Sequence, residues 1–145
     1  MVSELMLQQI QVKMVMTRYR EFLITFPDFV TLAWAPLREI LRAWQGLGYN
    51  RRALQLKRSA EAVISKHRLS LPRNVESLIK LPGIGKANAS AILAFAFNEP
   101  TIFIETNIRA AFIHFFFPDQ TDIRDKEVYP LFAATLDRSD PRTWY

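Results

Sequence analysis

The segment from Leu81 to Lys86 reads Leu-Pro-Gly-Ile-Gly-Lys, a composition typical of a tight turn between two helices. Gly83 and Gly85 let the backbone turn sharply and approach another surface, because neither residue carries a Cβ atom. Ile84 can anchor the turn in a core. The N–H groups that begin the next helix point outward with the positive end of its dipole, and a phosphate can bind there beside Lys86. The segment therefore predicts contact with a DNA backbone, and its plainer interpretation is an ordinary helix–helix turn.

Four segments of the chain, in this order, resemble the helix-hairpin-helix DNA glycosylase superfamily of endonuclease III and the A/G-specific adenine glycosylases. Ser3–Val12 is similar to the S-E-[IV]-M-L-Q-Q-T-Q-V segment of the adenine glycosylases, and Trp44–Tyr49 to their W-x-G-L-G-Y. Phe103–Asn107 matches the segment with the catalytic aspartate, and Leu81–Lys86 matches the hairpin. The resemblance covers nearly the whole chain. It implies an all-α helix-hairpin-helix glycosylase fold with a central multi-helix domain.

Glu4 matches the general acid of that family. Cleaving adenine from deoxyribose requires charge to leave with the base. A carboxylic acid in a poorly solvated pocket can protonate a ring nitrogen, so that the base departs as a neutral molecule. Without the resemblance, Glu4 is a first-turn glutamate favoured by the helix dipole, with Ser3 as the cap.

Glu105 stands at the position of the family's second carboxylate, where the usual residue is aspartate. Loss of the base leaves an oxocarbenium-like sugar, which a nearby carboxylate can stabilise or trap. Glutamate keeps the charge but adds one methylene, and a misplacement of about 1 Å can cost roughly a hundredfold in rate. The resemblance leaves three interpretations open: a working variant, a shifted substrate and weakened activity. The plain alternative is an acid that caps a helix or lies at the surface.

Ala87 replaces the lysine that forms a Schiff base in the bifunctional endonuclease III branch. Alanine has no nucleophile, and Lys86 points in a different direction because adjacent helical residues do not share a face. The resemblance therefore implies a monofunctional enzyme that removes adenine mispaired with 8-oxoguanine or guanine, without lyase activity. The expected partner is double-stranded DNA with a mismatched or damaged base.

Gln8, Gln9 and Tyr49 match residues that enter the DNA stack or contact bases beside the lesion. An enzyme that acts on a base must extrude it and fill the gap, and a flat aromatic ring with a polar tip suits that task. Otherwise Tyr49 is a half-buried core residue, and Gln8 and Gln9 lie on a solvated helix face. Asn107 matches a family asparagine that orients the sugar or caps its helix. Asn50 stands where adenine glycosylases often have a second aromatic residue.

The composition is that of a folded, moderately basic protein. Of the 145 residues, 50% are hydrophobic and 23% are charged, which excludes disordered, collagen-like and disulfide-scaffold classes. The 19 Lys and Arg residues against 14 Asp and Glu residues give a net charge of +5, which suits nucleic acid or simply solubility. Without cysteine and with only His67 and His114 as histidines, we expect no metal and no cofactor within this chain. The resemblance allows a 4Fe-4S cluster in a full-length protein.

Helical periodicity dominates the chain and predicts seven or eight helices. The predicted elements are one helix through Leu5–Val15 that continues toward Phe26, a short helix capped by Asp28, Leu37–Gln45 begun by Pro36, Asn50–His67, a helix from Asn74 through Lys80, Ala87–Phe97, a helix through Phe116 capped by Thr106 or Asn107, Asp125–Leu136 with Pro130 inside it, and a start at Asp140. Thr101–Glu105 is predicted to be an extended connector. Arg52 is assigned to the polar side of its helix, and the aromatic residues from Phe112 to Phe117 are assigned to the core.

We expect residues 1–145 to form a single helical glycosylase domain, incomplete at both ends, with the helix-hairpin-helix at about 75–97. No apolar run is long enough to span a membrane and no secretory signal is visible, so we expect a cytoplasmic, nucleoid-associated monomer. Two alternative functions remain. One is a glycosylase for another base, such as a mismatched thymine or an oxidised pyrimidine. The other is a catalytically weak DNA-binding module.

Overall fold

The computed structural model describes residues 1–8, 10 and 12–145 and confirms the predicted all-α class, since every regular element in these residues is a helix. The helices are α1 (Val2–Met6), α2 (Val12–Thr25), α3 (Phe29–Trp34), α4 (Leu37–Ala43), α5 (Asn50–His67), α6 (Val75–Leu78), α7 (Lys86–Phe97), α8 (Thr106–Phe116), α9 (Asp125–Thr135) and α10 (Pro141–Trp144). In this part of the chain no helix is both long and apolar enough to cross a membrane. By backbone contacts the chain divides into two compact units, Met1–Ala89 and Ser90–Tyr145.

The N-terminal segment differs from the single helix predicted for Leu5–Val15. The structure has two helices there, because α1 ends at Met6 and α2 begins at Val12. The apolar residues of this segment do not follow one stripe. Leu5 and Met6 are buried, whereas Val12 is 62% exposed. The spacing of apolar and polar residues allowed one helix with a polar face, but it did not show that α1 would end at Met6.

The first unit is organised around α5, whose bounds are those predicted from the sequence. This helix packs against α1, α3 and α4, and the Nζ atom of Lys57 donates a hydrogen bond to the Ala33 carbonyl at the end of α3. The buried face of α5 combines apolar residues with two polar ones, Arg52 and Ser59. The assignment of Arg52 to the solvated side was therefore wrong, since this side chain is only 8% exposed.

Side-chain caps begin two of the short helices as predicted. The Oδ1 atom of Asp28 accepts a hydrogen bond from the Thr31 N–H at 2.7 Å, and that of Asn74 accepts one from the Ser77 N–H at 2.8 Å. Each bond satisfies an amide that has no partner within its own helix. Pro36 lies one position before α4, as its N-cap, rather than inside the helix.

The second unit has its core around Ile123, Val128 and Phe132. Phe112 and Phe117 pack against this core, as predicted for the aromatic run. The prediction was wrong for two other members of the run, because Phe115 is 75% exposed and Phe116 is 52% exposed. Phe115 lies on a different face of α8 from Phe112, whereas Phe116 contacts the Phe112 ring, with 5.4 Å between the centroids, at the exposed end of the same stripe. Pro130 is exposed and does not divide α9 into two helices.

Replacement of Phe132 by alanine should destabilise the protein by about 3–5 kcal/mol, because it removes a fully buried ring and leaves a cavity. The lost contacts include Phe112 at 4.6 Å and Trp144 at 5.5 Å between ring centroids. Phe115→Ala is the matched control and should change stability by less than about 0.5 kcal/mol. Denaturant unfolding of both variants provides the measurement. Equal destabilisation would contradict the division between the packed and the exposed rings.

Candidate active-site residues and nucleic-acid interface

The hairpin turn lies between α6 and α7 in the first unit. Leu81 and Ile84 are buried at 3% and 5% exposure, and the Ile84 N–H donates to the Leu81 carbonyl at 3.1 Å. These two residues therefore anchor the turn in the core, as the sequence predicted for Ile84. Gly85 and Lys86 are exposed at the opposite side of the turn.

Helix α5 supports this turn through two contacts that the sequence did not predict. The Ser59 hydroxyl, which is fully buried, donates a hydrogen bond to the Pro82 carbonyl at 2.7 Å. Gly83 has φ +82°, and a Cβ atom at this position would come within 2.9 Å of the Gln55 Cβ atom. Position 83 requires glycine for two reasons, which are the positive φ of the backbone and the close approach of α5. The sequence feature that could have indicated this role is the position of Ser59, a polar residue beside the apolar stripe of α5.

Gly85 and the first residues of α7 form the side of the turn that faces solvent. The Gly85 carbonyl accepts the hydrogen bond of the Ala89 N–H at 2.9 Å, so it begins the helix. The N–H groups before Ala89 have no carbonyl within the helix to bond, and they lie at the positive end of its dipole. A Cβ atom at Gly85 would meet no protein atom within 4 Å. The space outside Gly85, next to the exposed Lys86, can receive a phosphate.

The two glycines of the turn should respond differently to substitution. Gly83→Ala should destabilise the fold by at least about 1–2 kcal/mol, since alanine is strained at positive φ. Gly85→Leu should leave stability within about 0.5 kcal/mol of the wild type. The leucine should nevertheless weaken duplex binding by about tenfold or more, because it blocks a charge-assisted phosphate contact. Denaturant unfolding and fluorescence anisotropy at fixed salt separate the effects. Unchanged DNA affinity of Gly85→Leu would remove this turn from the interface.

The loop before α5 holds Tyr49 in an exposed and strained position. The buried Trp44 ring donates from Nε1 to the Gly48 carbonyl at 3.0 Å, and Leu47 is 1% exposed. These contacts fix the loop immediately before Tyr49, whose side chain is 64% exposed. Tyr49 has φ +47° and ψ +63°, which is a left-handed conformation that bulky residues rarely adopt. Such strain, of order 1–3 kcal/mol, tends to occur at functional sites.

Arg52 joins Tyr49 to Gln8. Its guanidinium lies over the Tyr49 ring, with 4.4 Å between its Cζ atom and the ring centroid. Its Nη1 atom donates a hydrogen bond to the Gln8 carbonyl. Tyr49 and Gln8, two of the residues predicted to contact DNA, thus both contact the buried guanidinium of Arg52. Gln9, the third, lies outside the described residues, and the partial exposure of Gln8 leaves its side-chain role a prediction.

Glu4 lies on α1 beside the buried residues Leu5 and Met6. Burial raises the pKa of the Glu4 carboxyl group, while the positive charge of the Met1 amine and a hydrogen bond with Ser3 offset part of that effect. Desolvation has this direction because it disfavours the charged form of an acid. A carboxyl group with a raised pKa keeps its proton to a higher pH than an ordinary glutamate. This is the property that the predicted general acid requires.

Glu105, in the second unit, is the N-cap of α8. Its Oε2 atom accepts hydrogen bonds from the Asn107 N–H at 2.7 Å and the Ile108 N–H at 3.0 Å. Its Oε1 atom accepts a third from Asn107 Nδ2 at 3.2 Å. The predicted cap, Thr106 or Asn107, was therefore wrong by one or two positions. Thr101–Glu105 contains no helix or strand, in agreement with the predicted connector.

Removal of the Glu105 side chain should weaken α8. Glu105→Ala should lower the free energy of unfolding by about 1 kcal/mol, since it deletes the acceptor of two backbone amides. Glu105→Asp and Glu105→Asn should stay within about 0.5 kcal/mol of the wild type, because both residues are good N-caps. Thermal unfolding of the three variants gives the comparison. Full stability of Glu105→Ala would contradict the capping role.

The predicted residues thus fall into two groups. Glu4, Gln8, Tyr49 and the hairpin turn belong to the first unit, and α5 packs against α1 and contacts the turn. Glu105 and Asn107 belong to the second unit and contact each other. Ala87 is exposed at the start of α7. Within residues 1–8, 10 and 12–145, no group of three His, Cys, Asp or Glu side chains is arranged to hold a metal ion.

Comparisons with known proteins identify relatives for nearly the whole chain. The sequence profile described as "HhH-GPD superfamily base excision DNA repair protein" matches residues 2–134. An adenine DNA glycosylase of Buchnera aphidicola subsp. Baizongia pistaciae is 38% identical over 97% of this chain and 39% of its own length. That of Mycolicibacterium smegmatis is 38% identical over 75% of this chain and 37% of its own length. The chain therefore spans about two fifths of these relatives.

Among solved structures, the chain is similar to a trapped endonuclease III–DNA covalent intermediate. The TM-score is 0.83 at 20% sequence identity, and the match covers 98% of this chain and 67% of the other. At this level of identity the likeness concerns the fold. It confirms the predicted helix-hairpin-helix glycosylase architecture.

Proposed function

We propose that this chain, which belongs to the HhH-GPD superfamily of base excision DNA repair proteins, is the helical part of a monofunctional DNA glycosylase. Its substrate is adenine mispaired with 8-oxoguanine or guanine in double-stranded DNA. The observation that carries the proposal is Glu4, a carboxyl group whose pKa is raised by burial. The choice of adenine is supported by relatives named adenine DNA glycosylases at 38% identity.

Glu4 is the general acid of the proposed reaction. It donates a proton to a ring nitrogen of adenine as the N-glycosidic bond breaks, and the base leaves as a neutral molecule. Its raised pKa increases the fraction that carries this proton at neutral pH. Positioned proton transfer of this kind contributes roughly a hundredfold to ten-thousandfold in rate.

Glu105 is the proposed partner for the positive charge that develops on the sugar. The Asn107 and Ile108 amides and the Asn107 side chain hold both of its oxygens in place. An oriented carboxylate needs little reorganisation as the oxocarbenium-like charge appears. Water then completes the hydrolysis, and an abasic site remains.

Strand cleavage is not part of the proposed reaction. Schiff-base formation needs an amine at the sugar, and Ala87 supplies none. We assign the neighbouring Lys86, which is exposed at the hairpin turn, to a phosphate of the DNA backbone. The protein acts as a monomer in the nucleoid-containing compartment in this proposal.

The sequence contains none of the cysteine ligands that usually bind an iron–sulfur cluster. The chain has no cysteine, so it offers no thiolate to iron. If the full-length protein holds a 4Fe-4S cluster, residues outside these 145 bind it. No step of the proposed reaction depends on such a group.

A strand-cleavage assay tests the proposal directly. The purified chain is incubated with an end-labelled duplex containing adenine opposite 8-oxoguanine, and each sample is divided before half is heated with alkali. Strand breaks should occur only in the heated half, because an abasic site is alkali-labile and Ala87 supplies no amine at the position of the lyase lysine. Glu4→Gln should slow base release by about a hundredfold or more, since the amide cannot donate the required proton.

Three controls separate catalysis from folding and binding. Glu4→Gln should be at least as stable as the wild type at pH 7, because burial of a neutral amide avoids the desolvation of a charge. Glu105→Asn should keep its cap but lose base release. The wild-type rate should fall as pH rises through the pKa of Glu4, because the acid loses its proton.

Equal rates of base release by the wild type and Glu4→Gln would overturn the assignment of Glu4 as the general acid. Excision of thymine instead of adenine would overturn the proposed substrate.

A further inference from the structure

We infer that Arg52 is a positioning residue that holds the Tyr49 ring and the Gln8 backbone together as one unit that enters the DNA stack. The inference rests on the proposed function, because it concerns how the same protein fills the gap left by an extruded base. It assigns Arg52 no contact with DNA or with the reacting atoms.

The geometry places Arg52 between two segments that are far apart in the sequence. Gln8 follows α1, and Tyr49 precedes α5, where Arg52 lies in the first turn. The Cζ atom of the guanidinium lies over the Tyr49 ring, and its Nη1 atom donates to the Gln8 carbonyl. Because the side chain is only 8% exposed, its charge is not available to a phosphate.

The chemistry of arginine explains why this position carries a cation. A buried charge is costly unless it is paired or hydrogen-bonded, and guanidinium cannot lose its proton to avoid that cost. An aromatic face and a backbone carbonyl both stabilise a cation. Lysine has a compact ammonium group that cannot stack flat on the ring while it donates sideways. Arg52 can serve both partners at once because its guanidinium is planar.

Tyr49 has few other constraints on its ring. The side chain is 64% exposed, and its backbone is in the left-handed region. An exposed side chain changes rotamer within nanoseconds, so a ring without a partner would lose entropy when it enters DNA. The contact with Arg52 restricts the ring before DNA binds. This pre-organisation favours insertion.

The same helix connects this unit to the hairpin turn. Arg52 and Ser59 are seven residues apart on α5, which corresponds to about 10 Å along a helix and to nearly the same face. Ser59 holds the turn through Pro82, and Arg52 holds Tyr49. Helix α5 thus fixes the distance between the ring that enters the stack and the turn that binds the backbone.

A duplex without a scissile base isolates this step from catalysis. The probe is a duplex with a tetrahydrofuran abasic analogue beside a 2-aminopurine, whose fluorescence reports local stacking. Binding of the wild-type chain should change that fluorescence as Tyr49 enters the gap. The variants are Arg52→Lys, Tyr49→Leu and the double variant. Arg38→Lys, at an exposed arginine of α4, is the matched control.

Arg52→Lys should reduce the fluorescence change and the rate of adenine release by at least tenfold, and Arg38→Lys by less than twofold. In the Tyr49→Leu background, Arg52→Lys should have a clearly smaller effect than in the wild type, because the part of its role that acts through the ring is already absent and only the contact with the Gln8 carbonyl is left. Additive effects of the two substitutions would overturn the inference, as would full activity of Arg52→Lys.

A measurement without DNA covers the case in which Arg52→Lys does not fold. The side-chain NMR signals of Arg52 should carry a ring-current shift that disappears in Tyr49→Leu, whose substitution is at an exposed side chain. Absence of this shift in the wild type would overturn the inference. If the wild type changes 2-aminopurine fluorescence as expected but releases no adenine, the proposed glycosylase function fails, and the fluorescence of Arg52→Lys alone decides the role of Arg52.

Discussion

The hydrogen bond from the Ser59 hydroxyl to the Pro82 carbonyl is the interaction on which the hairpin turn of the first unit depends. Ser59 is fully buried, and a buried hydroxyl without a partner costs about 1–3 kcal/mol. The bond therefore stabilises the contact between α5 and the hairpin turn. Because Ser59 lies on the buried face of α5, the bond joins the turn to the same helix that places Gln55 against Gly83 and Arg52 beside Tyr49.

The two loops that approach DNA in the proposed function each contain a residue with positive φ, but the two residues differ in their side chains. Both contain a residue in the left-handed region, Gly83 with φ +82° in the hairpin and Tyr49 with φ +47° before α5. At Gly83 the chain has no side chain, because α5 occupies the space that a Cβ atom would need. At Tyr49 the side chain points outward and is supported by Arg52. The strained residue is thus the one whose side chain has a proposed task.

Local features of the sequence predicted much of the fold, whereas long-range pairs were not visible in it. The bounds of α5 followed from periodicity, and the caps Asp28 and Asn74 from a preference that acts within one turn. Arg52 was assigned to the wrong face, because its partners include a carbonyl 44 residues away. Ser59 was missed for the same reason, since its acceptor lies 23 residues away. Periodicity identifies a buried face but does not identify what a polar residue on that face will bond.

Glu105 illustrates how a departure from a family pattern can be absorbed by local geometry. An aspartate at a helix N-cap accepts hydrogen bonds from the amides two and three residues later. Glu105 accepts from the same two amides, those of Asn107 and Ile108. The extra methylene is taken up as the side chain folds back onto its own helix, so the carboxylate stays at the helix terminus. The charged group of Glu105 therefore reaches the same two amides that an aspartate N-cap would use. In the proposed function, this placement favours a working variant over a weakened one.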